Sequence, residues 1–416
     1  MTLDPVHFDG IARLAGRISR GVDTRDHRDF ARTVWNSFLD PLVVDDVAIL
    51  EPLGEQRRRA VSAEDAALSA APFETQHGLD AGTTNPTTFT NGLVLDVAVA
   101  AMSAVPSDLE LHRARTIVAT VHANDDTVNV EEGDWTRFDA GYSRERIIQA
   151  PRVDRFEGHV VHALSLYLAE SEHALEHADA VTDLLVLDGP LYPKGLLEWT
   201  GRDRRLEALL TEAARPRDIL RNYLELVERF VERDVPLVGF VKHPSSRSLV
   251  RAVRARAGRA PWVDDAAFFR QMLRPRDEAD RADRLTCTSW FVSRGGVDRE
   301  LSTAGDALGV ERTLDPAAYE VTFFVVYDPR EDLLFRVEAP RAFTEDPDRR
   351  ERLTRQVLQD VAVGRGPPLA VAKADELARI GREEKAGLTE ALERELAADR
   401  VRTYDEARWG DEFVSY

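Results

Sequence analysis

A chain of 416 residues with 43% hydrophobic and 31% charged residues can bury a large core and has the composition of a globular protein. No run approaches the ~20 apolar residues of a membrane span, and the first residues have neither the basic start nor the apolar stretch of a signal peptide. Cys287 is the single cysteine, which excludes an internal disulfide framework and a cysteine-based zinc site. We expect a cytoplasmic protein.

The charge is strongly negative and uneven along the chain. The formal net charge is -19, and only four of the 55 basic residues are lysines. This balance is typical of a halophilic cytoplasm, where acidic side chains keep a protein hydrated, or of a GC-rich genome that favours arginine codons. Between Val235 and Val263 the chain has no Asp or Glu. The basic residues of this stretch are Lys242, Arg247, Arg251, Arg254, Arg256 and Arg259. They predict a patch that binds a phosphate backbone or, alternatively, a solvated helix face.

The first 70 residues are predicted to be mostly helical. Apolar residues such as Ile11, Leu14 and Ile18 recur at helical spacing. We assign residues 1–72 to a helical N-terminal extension, which would serve as a dimerisation arm or as a docking element for a partner.

Strands and helices are mixed from about Gly78 onward. Strand-like runs lie at 78–102 (with a turn inside), 116–122, 183–190 and 236–244, and a hairpin is predicted at 319–340. Helices are predicted at 155–177 and 217–233, and the charged tail after 370 is also helical. Because no clean linker separates these elements, we predict one α/β domain over residues 73–380. It would be a mixed sheet flanked by helices, followed by a helical tail over 381–416.

Three acidic residues stand out by their positions. Asp80 and Asp188 are each followed closely by a glycine and lie where a predicted strand ends, and Glu157 opens the long helix. Ligands of α/β sheets gather at strand ends. Clustered carboxylates raise one another's pKa unless a cation neutralises them, and all-oxygen sites select Mg²⁺ or Mn²⁺. The pattern therefore indicates a site for one or two metal ions, although each motif alone is also typical of a plain turn after a strand.

In these motifs the chain resembles the NurA nuclease family from about residue 73 to residue 380. The matching segments, in chain order, are LDAGTT at Asp80, RFEGHV at Glu157, LDGPLYP at Asp188, VGFVKHPSSRSL with Lys242 and Ser245, LFRVEAP with Arg336 and Glu338, and PPLAVAKADELARI with Asp375. The order and spacing of the segments are more specific than any one of them. The resemblance implies an RNase H-like fold and a Mn²⁺- or Mg²⁺-dependent deoxyribonuclease.

The resemblance also implies roles for individual residues. Metal ligands would be Asp80, Glu157, Asp188 and Asp375, with Lys242 as a further catalytic residue. DNA contacts would come from Lys242, Ser245, Arg247, Arg251, Arg254 and Arg336. An Arg can bind a phosphate in bidentate fashion and a Lys as a point charge. Alternatively, Lys242 is a snorkelling lysine at a strand end, and Arg336 and Glu338 form a surface pair. The partners that the resemblance implies are DNA ends, a HerA-type hexameric helicase and a second copy of the chain. The implied activity is that of a 5′–3′ exonuclease and single-strand endonuclease in DNA end resection and double-strand break repair.

The sequence departs from the family pattern in three places. Ala81 and Pro190 replace residues that are often Gly and Ser in the family, and Asp375 stands where many relatives have a metal-binding histidine. The helix glutamate also has alternatives, because Glu170 and Glu172 lie later in the same predicted helix.

Two other functions stay open. LDAGTT also resembles the first phosphate loop of the actin, heat-shock protein and sugar kinase ATPases, whose superfold has a related topology. That function needs a second glycine-rich loop, and Gly295-Gly296 is the only double glycine. A non-catalytic adaptor for a DNA translocase is the second alternative, although it would not need all three main carboxylates.

Overall fold

The computed structural model describes residues 4–19, 24–125, 127–275, 283–303, 308–402 and 404. Its helices are α1 (Pro5–Ser19), α2 (Thr24–Phe38), α3 (Ala63–Leu68), α4 (Leu109–Arg113), α5 (Glu157–Glu176), α6 (Lys194–Leu197), α7 (Trp199–Arg202), α8 (Arg204–Glu212), α9 (Ala214–Glu232), α10 (Ser248–Ala257), α11 (Asp265–Leu273), α12 (Arg341–Thr344), α13 (Pro347–Gly364), α14 (Leu369–Ala378) and α15 (Arg382–Leu396).

The strands are β1 (Leu42–Val44), β2 (Val47–Pro52), β3 (Arg58–Ser62), β4 (Gln76–Thr83), β5 (Thr87–Thr88), β6 (Leu93–Val105), β7 (Arg115–Ala123), β8 (Thr136–Phe138), β9 (Ser143–Gln149), β10 (Leu185–Asp188), β11 (Leu237–Val241), β12 (Arg284–Thr288), β13 (Phe291–Ser293), β14 (Val321–Asp328) and β15 (Leu333–Pro340). They form one sheet in the order β1-β2-β13-β14-β15-β11-β10-β4-β6-β7-β9-β8, while β12 joins β14 to β3 and β5 pairs with β6. Strand β10 runs parallel to both β4 and β11. The predicted mixed α/β sheet flanked by helices is confirmed.

The strands that were predicted from continuous apolar runs are present. Strands β10 and β11 lie in the centre of the sheet, and β14 and β15 form the predicted hairpin, with Val321 opposite Pro340 and Asp328 opposite Leu333. All eight residues of β14 are buried, as expected for a strand covered on both faces.

The N-terminal segment differs from its prediction. Helices α1 and α2 are present, but residues 42–62 form three strands that extend the sheet through β13 and β12. Asp45 and Asp46 both have positive φ, 49° and 61°, and they connect β1 to β2 as a two-residue turn of the kind that favours hairpins. The prediction of helix over 42–62 was wrong because this Asp-Asp turn signal was not used.

The core divides between the two faces of the sheet. Strand β4 shows the division, because α5 covers the face of Leu79 and α14 covers the opposite face. Helices α5 and α9 pack together on the first face, and α13 packs on the second. Helices α2, α10 and α11 cover β13 and β14 with a separate aromatic cluster. Helix α1 has no buried residue, and no described helix has the length and apolarity of a membrane span.

Two glycines of β4 let the backbone of α14 lie directly on the strand. A Cβ at Gly78 would lie 2.2 Å from the carbonyl oxygen of Ala370, and one at Gly82 would lie 2.4 Å from that of Ala378. Real Cβ atoms do not approach so closely, so any side chain at these positions would push the helix away. The two contacts hold α14 at both ends, with Asp375 between them.

Gly78→Ala should therefore destabilise the protein by about 1–3 kcal/mol, as overpacking of a tight contact usually does. Chemical denaturation followed by circular dichroism would measure the loss. Gly201→Ala is the matched control, because nothing lies within 4 Å of a Cβ there. Equal stability of the two variants would contradict the tight contact between α14 and β4.

Candidate metal centre

Two aspartates lie side by side on neighbouring parallel strands. Asp80 lies in β4, and Asp188 is the last residue of β10, where Leu187 stands opposite Leu79. Neighbouring strands are about 4.8 Å apart and their side chains alternate between faces. Asp80 and Asp188 therefore point to the same face, which is the face that α14 covers.

Helix α14 supplies the third carboxylate. Asp80, Asp188 and Asp375 each offer a carboxylate oxygen, and these oxygens lie within 4.8 Å of one another. A cavity of about 390 Å³ opens over them, and its rim includes Asn85 and Lys385. The structure thus brings together three of the four carboxylates that the sequence proposed as metal ligands.

The cluster is electrostatically strained. Burial, and then the charge of Asp188, raise the pKa of Asp80 to about 7, with Asp375 adding to the effect. Burial also raises the pKa of Asp188, although Lys242 opposes this shift. The Lys242 Nζ donates a hydrogen bond of 2.6 Å to Asp188 Oδ2. A divalent cation would relieve the repulsion, and a donor set of carboxylate oxygens fits Mn²⁺ or Mg²⁺.

A fourth acid approaches from the other face of the sheet. Glu170 lies in α5, and its carboxylate accepts a hydrogen bond of 3.0 Å from the Tyr223 hydroxyl. Burial, followed by the charge of Asp80, raises the pKa of Glu170 to about 8, and Asp188 contributes further. The charges of both aspartates therefore act on Glu170 through the sheet.

Glu157 and Glu172 have other surroundings. Glu157 begins α5, about 20 Å along the helix from Glu170 at 1.5 Å per residue, and its charge acts on His122, whose pKa is lowered mainly by burial. Glu172 accepts a hydrogen bond from Asn222 at 3.2 Å and lies 3.5 Å from the Arg144 guanidinium. The structure therefore does not place Glu157 with the three aspartates, whereas the alternative Glu170 feels the charges of Asp80 and Asp188.

The basic residues after β11 lie on the surface. Ser245 and Arg247 are exposed in the loop that follows Lys242, and Arg251 and Arg254 are exposed on α10. Helix α10 packs through its apolar residues, such as Val253, so its arginines face outward. Arg256 and Arg259 instead stack on Phe38 and Phe30 of α2.

Arg336 does not fit the predicted contact with DNA. The residue is only 6% exposed, and its guanidinium lies 2.7 Å from both Asp298 and Glu338. Lys194 completes the network, at 2.8 Å from Asp298 and 2.5 Å from Glu338. Although burial opposes it, the two cations hold the pKa of Asp298 well below its usual range. The alternative of a surface pair is also wrong, because Glu338 is fully buried.

The double glycine does not form a second phosphate loop at this site. A Cβ at Gly295 would contact Ser248 and Ile49, at 2.7 and 2.8 Å. Neither Gly295 nor Gly296 lines the cavity over Asp80. The structure therefore lacks the second loop that an actin-type ATPase would need there, within the described residues.

Comparison with known proteins identifies similar proteins of one family. A family model described as the NurA domain matches residues 74–380. The crystal structure of the NurA nuclease from Sulfolobus solfataricus is similar in fold, with a TM-score of 0.50 and 11% identity over 95% of this chain and 98% of that one. A structure of NurA bound to dAMP and manganese has a TM-score of 0.48 and 11% identity, and covers 96% of this chain and 99% of its own. No curated protein has significant sequence similarity to this chain.

In the metal-free protein, Asp80→Asn should raise stability at neutral pH. The pKa of Asp80 in the fold, about 7, lies above the ordinary value of 3.8, so folding loses stability as the pH rises from about 4 to about 7. The asparagine does not ionise, and the stability gap between variant and wild type should therefore be about 2 kcal/mol wider at pH 8 than at pH 5. Thermal unfolding in chelator would measure it.

Added Mn²⁺ provides the companion measurement. It should raise the unfolding temperature of the wild type much more than that of Asp80→Asn, because binding to the folded state alone stabilises it. If the difference in stability between Asp80→Asn and the wild type without metal does not depend on pH, the buried Asp80 carboxyl does not have the raised pKa described above.

Proposed function

The chain belongs to the NurA family, and we propose that it is a nuclease that hydrolyses phosphodiester bonds in DNA with bound Mn²⁺ or Mg²⁺. The observation that carries the proposal is the convergence of Asp80, Asp188 and Asp375, whose oxygens lie within 4.8 Å of one another although they come from two strands and a helix. Ion pairs compensate only part of the cluster: Lys242 pairs with Asp188 and Arg379 with Asp375, whereas no lysine or arginine among the described residues pairs with Asp80.

The residues divide the chemistry between them. Asp80, Asp188 and Asp375 would hold the cation, with Glu170 as the helix carboxylate in place of Glu157. The cation supplies a water of lowered pKa and positive charge for the scissile phosphate. Lys242 fixes the Asp188 carboxylate through its hydrogen bond and adds a positive charge beside the phosphate.

A matched pair of variants tests which glutamate of α5 acts in the site. Glu170→Gln should lower Mn²⁺-dependent cleavage of a DNA strand by about 100-fold, because loss of a group that binds or orients the metal usually costs that much. Glu157→Gln, on the same helix, should change the rate less than about threefold. Cleavage rates with the metal at saturation, and metal affinity by calorimetry, would separate the two. If Glu157→Gln lowers the cleavage rate more than Glu170→Gln does, Glu157 is the glutamate of the site. If the wild type cleaves no DNA with any metal, the proposed nuclease function is refuted.

We also propose that the loop at 242–247 and the outer face of α10 bind the phosphate backbone of DNA. The support is the exposure of Ser245, Arg247, Arg251 and Arg254, in a segment that contains Lys242 and no acidic residue.

The double variant Arg251→Ala/Arg254→Ala should weaken binding of single-stranded DNA and reduce the dependence of affinity on salt. Each lost phosphate contact reduces the slope of log affinity against log salt by about 0.7. Fluorescence anisotropy at several salt concentrations would measure the slope. Arg355→Ala, an exposed arginine of α13, is the control and should leave the slope unchanged. An unaltered slope in the double variant would remove α10 from the DNA-binding surface.

Helix α1 supports a proposal about partners. Its apolar stripe of Phe8, Ile11, Leu14 and Ile18 is more than half exposed, which is typical of a surface that another protein covers. We propose that α1 contacts a second copy of the chain or a HerA-type helicase. We further propose that the protein acts with such a helicase as a 5′–3′ exonuclease and single-strand endonuclease during DNA end resection. Light scattering of the full chain and of a chain lacking residues 1–19, alone and with the helicase, tests this. Unchanged association after the truncation would exclude α1.

A further inference from the structure

One face of α5 leads away from the metal centre and is less buried than the rest of the helix. The partly exposed side chains of His159, His162, Leu166 and Glu170 follow one another at spacings of three or four residues, so they form a stripe along the helix. Ten other residues of α5 are buried in the core. The stripe begins at Glu170, on which the charges of Asp80 and Asp188 act from the other face of the sheet, and ends near the start of the helix.

The edge of β4 runs beside this stripe. Strand β10 pairs with β4 only at 77–79 and ends at Asp188, so residues 80–83 of β4 have no strand on that side among the described residues. Thr83, at the end of β4, and Asn85, just after it, both line the rim of the cavity. The open edge and the cavity rim thus run from the metal centre in the direction of the N-terminus of α5.

His162 is held at this end by a buried carboxylate. Asp96 is fully buried and accepts hydrogen bonds from the Thr84 hydroxyl at 2.9 Å, the Ser165 hydroxyl at 2.8 Å and the His162 Nδ1 at 3.1 Å. Thr84 lies between Thr83 and Asn85 on the cavity rim, so the same carboxylate ties His162 to that rim. Because Nδ1 donates to Asp96, the other nitrogen, Nε2, faces away from it.

Exposure distinguishes His162 from its neighbour. The His162 side chain is 37% exposed, and no hydrogen bond to its Nε2 is present among the described residues. The Nε2 of His159, in contrast, is engaged by the Trp199 indole at 3.0 Å and by the Arg202 guanidinium at 3.2 Å. Of the two histidines on the stripe, His162 is the one whose second nitrogen is available to a ligand.

We propose that His162 binds a backbone phosphate of the substrate strand and so fixes the register of the strand in the metal centre. The proposal rests on the nuclease function above and names a second contact of that site. His162 lies eight residues from Glu170, about 12 Å along the helix, which corresponds to roughly three or four nucleotides at 3.4 Å each. With Nδ1–H donated to Asp96, the contact requires the imidazolium form, in which Nε2 also carries a proton and donates it to the anionic phosphate in a charge-assisted hydrogen bond.

Neutral methylphosphonate linkages, placed one at a time in a single strand of about 12 nucleotides, would test this contact. In the wild type, the linkage roughly three or four nucleotides from the cut should raise KM about tenfold, since a hydrogen bond to a charged group contributes about that much. In His162→Ala, KM should already be raised about tenfold for the unmodified strand, and the same linkage should add no further loss. Additive losses at every position would overturn the proposal.

Substrate length and two further variants complete the test. His162→Ala should affect kcat/KM for a dinucleotide less than about twofold, because so short a substrate cannot span the ~12 Å to the histidine. Asp96→Asn should reproduce part of the KM effect with kcat retained, because it loosens the imidazole without removing it. His7→Ala, an exposed histidine of α1, is the matched control and should behave as the wild type.

Failure of this inference differs from failure of the nuclease. If the wild type cleaves DNA with Mn²⁺ but His162→Ala has an unchanged KM on the long strand, the second contact is refuted and the nuclease stands. If the wild type does not cleave DNA at all, the nuclease itself is refuted.

Discussion

Repulsion among Asp80, Asp188 and Asp375 is the constraint around which the structure is built. At a separation of 4.8 Å, two unit charges in a medium of effective dielectric 20 repel by roughly 3 kcal/mol. The protein keeps the carboxylates together through pairing of β4 with β10 and through the contact of α14 with Gly78 and Gly82. These contacts make sense as a scaffold that prepares a binding site for a cation, because the same energy that opposes the empty cluster favours a bound divalent ion.

The sequence revealed the parts of this site that depend on local structure. Asp188 could be placed because an apolar run that ends in Asp next to glycine predicts a buried strand and its end. Asp80 was expected at a strand end as well, but β4 continues beyond it to Thr83. The helix glutamate could not be placed in this way. The motif RFEGHV pointed to Glu157, but the start of α5 lies beyond the cluster, and the level at which the helix passes Asp80 depends on how α5 packs on the sheet. Glu170 is at that level, and only tertiary structure shows it.

Residues far apart in sequence explain the other differences. Arg336 was predicted to contact DNA or to form a surface pair with Glu338, yet it is buried in a network with Asp298 and Lys194, which come from distant segments that the sequence does not connect. The hairpin of β14 and β15 was predictable, since both strands and their polar turn are contiguous in the chain. The places of β2 and β3 in the sheet were not, because β2 pairs with β13 and β3 pairs with β12, more than 200 residues later.

A net charge of -19 is compatible with binding of a polyanion once distance is taken into account. Charges more than about 8 Å apart are largely screened at physiological ionic strength, and at molar salt the range falls to about 3 Å. The acids that matter are then those beside the strand, namely the cluster itself. Without a cation it repels a phosphate, and with one it attracts it, so cation and nucleic acid each favour binding of the other. In the proposed nuclease the local basic groups, Lys242, the arginines of α10 and His162, would guide a strand only after the cluster has been neutralised. Occupancy of the carboxylate site by a cation, more than the overall charge, would then decide whether DNA binds.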